Sequence, residues 1–134
     1  MKALLAMLMF IFSTSSWAVD AARSRLDAYA TVVKQPFSAE RGEQFWKQTH
    51  QYNSGVKQRS CASCHGKDLT KSGKHLRTKK IIKPMSRLTN PAALSDEKKI
   101  EKWFMRNCKW TIGRECSVAE KADILTYLLA GAGQ

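Results

Sequence analysis

Beyond residue 18 this sequence has no apolar run long enough to span a bilayer, and nowhere does it alternate polar and apolar residues over a convincing strand's length. The first absence excludes a multi-span membrane protein, the second a sandwich or barrel. Acids are scarce as well: 11 Asp and Glu face 23 Lys and Arg, for a formal charge of +12. Cysteine is rare, and its 4 residues fall as close pairs, Cys61 with Cys64 and Cys108 with Cys116.

The apolar run that does occur, Ala3 to Phe12, sits between Lys2 and the small-x-small triplet Ser16-Trp17-Ala18. That pattern is a secretory signal cleaved after Ala18, and the run is short for an uncleaved anchor. The expectation is a signal peptide over residues 1–18 and a single exported domain over 19–134, periplasmic in a bacterium. Loss of Lys2 leaves a charge of +11. In the cytoplasm such a balance would suggest nucleic acid. In the periplasm it points instead to an acidic protein partner, or to peripheral contact with an anionic membrane surface. A chain of this size buries a thin core, and a covalently held prosthetic group would add apolar bulk.

Helical periodicity accounts for most of the mature chain. Asp20 to Lys34 carries Leu26, Tyr29, Ala30 and Val33 at helical spacing, and Pro36 interrupts it. Ser38 is placed to cap a helix over about Ala39 to His50, with Glu40 in its first turn. Gly42 inside that helix costs stability unless another helix approaches closely, and Trp46 follows one turn later. Asn53-Ser54-Gly55 reads as a loop, and Lys67 to Lys83 as an irregular lysine-rich stretch that turns at Ser72-Gly73. Ser95 is placed to cap a third helix with the apolar stripe Ile100, Trp103 and Phe104. Asn107 falls seven residues after Ile100, which puts an amide within that stripe. Ser117-x-x-Glu120 is a capping box for a last helix from about Val118 to Ala130, burying Ile124, Leu125, Leu128 and Leu129 before Gly131 stops it. The fold class is all-α.

Ser60-Cys61-Ala62-Ser63-Cys64-His65 carries the chemistry. Cys-x-x-Cys-His is the attachment pattern of a c-type haem: both thiols add to vinyl groups and the next imidazole binds iron. Cysteines three apart share one side of a helical turn, so both reach the edge of a flat macrocycle while His65 turns beneath it. The competing uses of Cys-x-x-Cys are half a zinc site and a redox dithiol.

Gly42 and Trp46 on an early helix, then Cys61-x-x-Cys64-His65, then Leu125, Tyr127 and Leu128 on a terminal helix, resemble class I cytochrome c, here with an extra N-terminal helix. A narrower likeness lies in Glu101-Lys102-Trp103-Phe104-Met105-Arg106-Asn107-Cys108, Gly113-Arg114-Glu115-Cys116 and Ala119-Glu120-Lys121-Ala122-Asp123. These segments resemble the sphaeroides haem protein family, small periplasmic cytochromes c that bind oxygen. The resemblance implies one covalent haem c tethered by Cys61 and Cys64, with His65 as proximal iron ligand. It also implies Asn107 as distal ligand, a Cys108–Cys116 disulfide, and electrons supplied by a periplasmic multihaem cytochrome.

The sixth ligand decides the function. Met85, a soft thioether beside a proline, is what generic class I expectation favours. His75 would give a bis-histidine haem, and His50 reads as a surface residue. The narrower resemblance puts Asn107 first and turns Met85 into packing. An amide oxygen is a hard, weak ligand better matched to ferric than to ferrous iron, so reduction would expose a position for oxygen, nitric oxide or carbon monoxide.

Cys108 and Cys116 have other readings, a redox-active pair or, with Cys61 and Cys64, a four-thiolate zinc site. The expected function is therefore a gas-binding haem protein, whose open iron would also suit a terminal oxidoreductase acting on oxygen or nitrogen oxides. A plain His65/Met85 electron carrier and a zinc-stapled module are the alternatives. The lysines of 67–83 suit a docking collar for the redox partner as well as a solvated face.

Overall fold

The computed structural model describes residues 21–51 and 58–131; the expected signal peptide and the Asn53-Ser54-Gly55 loop lie outside them. Five helices dominate: α1 Ala21–Ala30, α2 Ala39–Lys47, α3 Cys61–His65, α4 Glu97–Ile112 and α5 Val118–Ala130, with strands β1 Gly73–Lys74 and β2 Ile81–Ile82 between α3 and α4. None of the described helices is long and apolar enough to cross a membrane.

The expected start signals operate at most helix ends. The Ser38 hydroxyl accepts from Arg41 N, and Ser117 and Glu120 form the reciprocal capping box of α5. At α4 the cap shifts by one residue. Asp96, not Ser95, accepts from Lys99 N, because the Ser95 hydroxyl is committed backwards to the Ala92 carbonyl at 2.8 Å. Helix α1 ends at Ala30 rather than Lys34. Thr31, Val32 and Val33 are β-branched, and the Thr31 hydroxyl turns back onto the Ala28 carbonyl at 2.7 Å. Helix α2 stops at Lys47, short of His50, because His50 and Arg59 exchange backbone hydrogen bonds of 2.7 and 3.0 Å in an isolated bridge.

Packing is organised on α5. Ile124, Leu125 and Leu128 are buried, as the sequence pattern predicts, and Ala122 is buried with them, while Leu129 is only partly covered. The α2–α5 crossing is the most extensive helix contact, and Gly42 sits at its closest point: a Cβ there would lie 2.0 Å from the Asp123 carbonyl oxygen. Next to it, Arg41 pairs with the buried Asp123 carboxylate (Nε to Oδ2 2.7 Å, Nη2 to Oδ1 2.9 Å), and Ser38 N–H adds 2.7 Å to Oδ1. On the other side of α5, α1 buries Ala22 and Tyr29 against Ile100, Ala122 and Leu125. Glu101 of α4 then collects Tyr29 Oη, Arg25 Nη2 at 2.7 Å and Lys121 Nζ at 3.0 Å, tying α1, α4 and α5 through one carboxylate.

The lysine-rich stretch is more regular than its composition suggests. β1 and β2 pair antiparallel in the register Gly73↔Ile82 and Lys74↔Ile81, and Lys79, at φ 61°, turns the chain back. Lys67, Lys71, Lys74, Arg77, Lys79, Lys80 and Lys83 are all exposed on it.

Candidate haem site

Helix α3 is a single turn that would be marginal alone, and it is set at both ends. Ser60 and Ser63 form a reciprocal capping box, and Gly66, at φ 82°, carries the chain out of the turn in a conformation that suits glycine. Trp46 of α2 holds the turn from the side: its Nε1–H donates to the Gly66 carbonyl at 3.0 Å, and its ring centre lies 5.3 Å from that of His65. From the other direction Gly73 of β1 presses against the motif, where a Cβ would lie 2.0 Å from the Cys64 carbonyl oxygen. Sequence reading took Gly73 for a turn residue and missed the Ser60–Ser63 box. The Ser-x-x-Ser spacing before Cys64 was the available signal; no sequence signal marks the Gly73 contact.

Cys61 and Cys64 are free thiols, the first partly buried and the second buried. Burial pushes the Cys61 pKa up to about 11, so it is a neutral thiol at pH 7. Burial likewise drives the His65 pKa down to about 4, so the imidazole is neutral and keeps a lone pair for a metal. Its Nδ1 is buried with no hydrogen-bond partner. Two free thiols and an unsatisfied neutral imidazole on one turn are the donor set a covalent haem requires, and the residues fit that group.

The other candidates are distributed around this turn unevenly. Cys108 and Cys116 are joined by a disulfide and buried, so the four-thiolate zinc reading loses half its donors. Among the described residues no three His, Cys, Asp or Glu side chains are placed to share a metal ion. Met85 is partly buried against the cluster of Trp46, Leu69, Cys108, Cys116, Ile124 and Leu128, which Cys61 also touches. His50 is not the surface residue expected: it packs on Phe45 with ring centres 5.5 Å apart, and its Nε2 is buried without a partner. His75 accepts Arg77 N–H at 3.2 Å and Thr78 N–H at 3.1 Å through Nδ1, while its ring lies 5.5 Å from that of Trp110.

Asn107 requires a correction. It does not lie on a polypeptide-buried stripe: α4 buries Ile100, Cys108 and Thr111, while Asn107 is exposed and Trp103 is 50% exposed. At about 100° per residue, Asn107 and Trp103 fall just beyond one edge of the buried arc. They form a second face of α4, one that protein atoms leave largely uncovered.

Residues 32–128 match the family described as "Domain of unknown function (DUF1924)". Cytochrome c-type protein SHP of Cereibacter sphaeroides is 39% identical over 102 residues, covering 76% of this chain and 78% of that one. Cytochrome c'' of Methylophilus methylotrophus is 35% identical over 88 residues, 66% of this chain and 60% of the other. The structure of oxidised SHP, described as an oxygen-binding cytochrome c, superposes with a TM-score of 0.74 at 36% identity, covering 81% of this chain and 96% of that one. The solution structure of cytochrome c'', presented with insights into haem-ligand detachment, gives a TM-score of 0.67 at 29% identity over 84% and 91% of the two chains. With the Cys61–His65 turn, the α2–α5 crossing and this coverage, the chain belongs to the sphaeroides haem protein family of c-type cytochromes, and its cofactor is haem c.

Proposed function

We propose that this chain is an exported cytochrome that accepts an electron and then binds a diatomic gas. Cys61 and Cys64 carry the thioether links, His65 is the proximal ligand and Asn107 the distal one. The observation that carries the reading is the neutral His65 imidazole, unpartnered at Nδ1 and sharing one turn with two free thiols. When bound, haem supplies an iron that changes between ferric and ferrous and offers a sixth position. Each residue's part follows from its surroundings. Trp46 and Gly73 fix the turn that presents His65, so the imidazole keeps its orientation. The Cys108–Cys116 bridge anchors the end of α4, so Asn107 is carried on a fixed backbone. Its amide oxygen is a hard neutral donor that would suit ferric iron better than ferrous iron. Once free, the amide N–H is available as a donor to an incoming ligand. That SHP is an oxygen-binding cytochrome c, and that cytochrome c'' is associated with haem-ligand detachment, support this assignment.

The rest of the reading concerns place and partner. The sequence of residues 1–18 directs the protein to the periplasm as a mature domain over 19–134. The exposed lysines of the β1–β2 region suit an acidic redox protein, of which a multihaem cytochrome c is the expected kind, with any membrane contact peripheral.

The test is an optical spectrum of the mature holoprotein when oxidised, reduced and then exposed to carbon monoxide. High-spin ferrous haem that shifts completely with the gas is the expected result. A low-spin ferrous spectrum indifferent to carbon monoxide points to Met85 or a histidine instead and makes the protein a plain electron carrier.

A further inference from the structure

Asn107 sits between tryptophans on its own helix, Trp103 four residues before and Trp110 three after, so all three share one strip of α4. Each ring carries a guanidinium. Arg106 lies with its central carbon 5.2 Å from the Trp103 ring centre, and Arg59 with its own 4.0 Å from that of Trp110. Arg59 is further fixed by Nη1, which donates to the Trp110 carbonyl at 3.1 Å. From Lys102 to Thr111 the helix has no acidic residue, while Lys102, Arg106 and Lys109 are all cationic.

A neutral diatomic gas is nearly indifferent to such charges. An anion is not. Stacking on an indole face restrains an arginine and strips part of its hydration, so its charge is felt more strongly than that of a free surface lysine. Arg59 belongs to the segment leading into Ser60 and Cys61 and Arg106 to α4, so two elements each hold a guanidinium against a tryptophan of the strip that carries Asn107.

We propose that Arg59 and Arg106 are specificity residues that make the ligand position beside Asn107 favour small monovalent anions, oxoanions such as nitrite among them. The inference rests on the distal assignment of Asn107 given above. Both are positioning charges rather than ligands, and they leave the binding of neutral molecules unchanged.

The experiment is equilibrium titration of the ferric holoprotein with sodium azide, sodium nitrite and neutral imidazole, and of the ferrous protein with carbon monoxide, at low ionic strength. The variants are Arg106→Gln, Arg59→Gln, the charge-preserving Arg106→Lys, and Lys98→Gln as a control one end of the helix away. Each glutamine variant at Arg59 or Arg106 is expected to weaken azide and nitrite binding roughly three- to tenfold, with the difference shrinking as salt is added. Lys98→Gln and every titration with imidazole or carbon monoxide should stay near wild type, while Arg106→Lys, which keeps the charge but loses the stack on Trp103, should fall between wild type and Arg106→Gln. Equal weakening of anions and neutral ligands, or no weakening of anions while carbon monoxide still binds, overturns the inference and leaves the Asn107 assignment standing. A wild-type protein that takes none of these ligands overturns that assignment, and the inference with it.

Discussion

The Arg41 guanidinium lies side-on to the Asp123 carboxylate, Nε to Oδ2 at 2.7 Å and Nη2 to Oδ1 at 2.9 Å, one residue from the glycine where α2 and α5 cross. Asp123 is buried, at 7% exposure, and also accepts Ser38 N–H. This single carboxylate therefore fixes the start of α2 and its angle to α5. Asp123→Ala leaves the Ser38 donor and Arg41 without their acceptor, at a cost of about 2 kcal/mol. Denaturant unfolding of the holoprotein should show the midpoint fall with little change in slope.

Gly42 tolerates no side chain without movement of a helix, since its Cβ would meet α5 backbone rather than a flexible side chain. Gly42→Ala should cost about 3 kcal/mol, at the upper end of overpacking penalties. Because Trp46 on the same helix holds the His65 ring, the haem Soret band should shift as well as the thermal midpoint.

Glu101 gives a pH-dependent prediction. Burial would raise its carboxyl, but hydrogen bonds from Tyr29 and Lys121, with the nearby Lys121 and Arg25 charges, bring it below the ordinary value of 4.5. A group whose folded pKa is depressed contributes stability above its unfolded pKa and loses it as pH falls through the folded one. Glu101→Gln should therefore be less stable than wild type by about 1 kcal/mol from pH 7 to near pH 5. That gap should narrow as pH falls below the ordinary carboxyl value and close once Glu101 is protonated in the folded state as well. Paired unfolding curves across this range check it; a gap that stays constant down to pH 3 contradicts it.

Haem attachment supplies its own test. With Cys61→Ser and Cys64→Ser together, no haem should remain with the chain on a denaturing gel stained for peroxidase activity. Either single variant should retain haem through one link, with a shifted alkaline pyridine spectrum.

Asn107→Met replaces a hard oxygen donor with a soft sulfur. The variant should give low-spin ferrous haem and lose most carbon monoxide binding, by at least about tenfold in affinity, since thioether sulfur suits ferrous iron. Unchanged spectra and unchanged carbon monoxide binding count against Asn107 as the native ligand.

What the sequence disclosed of this fold was its strongest local chemistry. The Ser117–Glu120 box, the Ser38 cap and the Gly42 close approach were legible because each is a short-range rule written in a few adjacent residues. The Cys61–His65 turn was legible for the same reason. The β1–β2 hairpin was not, since two-residue strands are too short to display any alternation. Ser95 and Asp96 are both competent caps, and only the Ser95 bond to Ala92 decided between them. The burial of α4 was misread at its edge, where about 20° of helix rotation separates Ile100 from Asn107. The Cys108–Cys116 pairing came through family likeness, since spacing alone left other partners open.

The buried bridge at Cys108 has a kinetic consequence for its neighbour. A backbone stapled to the start of α5 one residue beyond Asn107 leaves little room for that stretch of α4 to slide or unwind. On the proposed assignment, the freedom left to Asn107 would be a rotamer change of one amide, among the few χ1 wells a helix permits. Exposed side chains make such flips in picoseconds to nanoseconds, so no rearrangement of the fold would limit how fast the Asn107 amide turns.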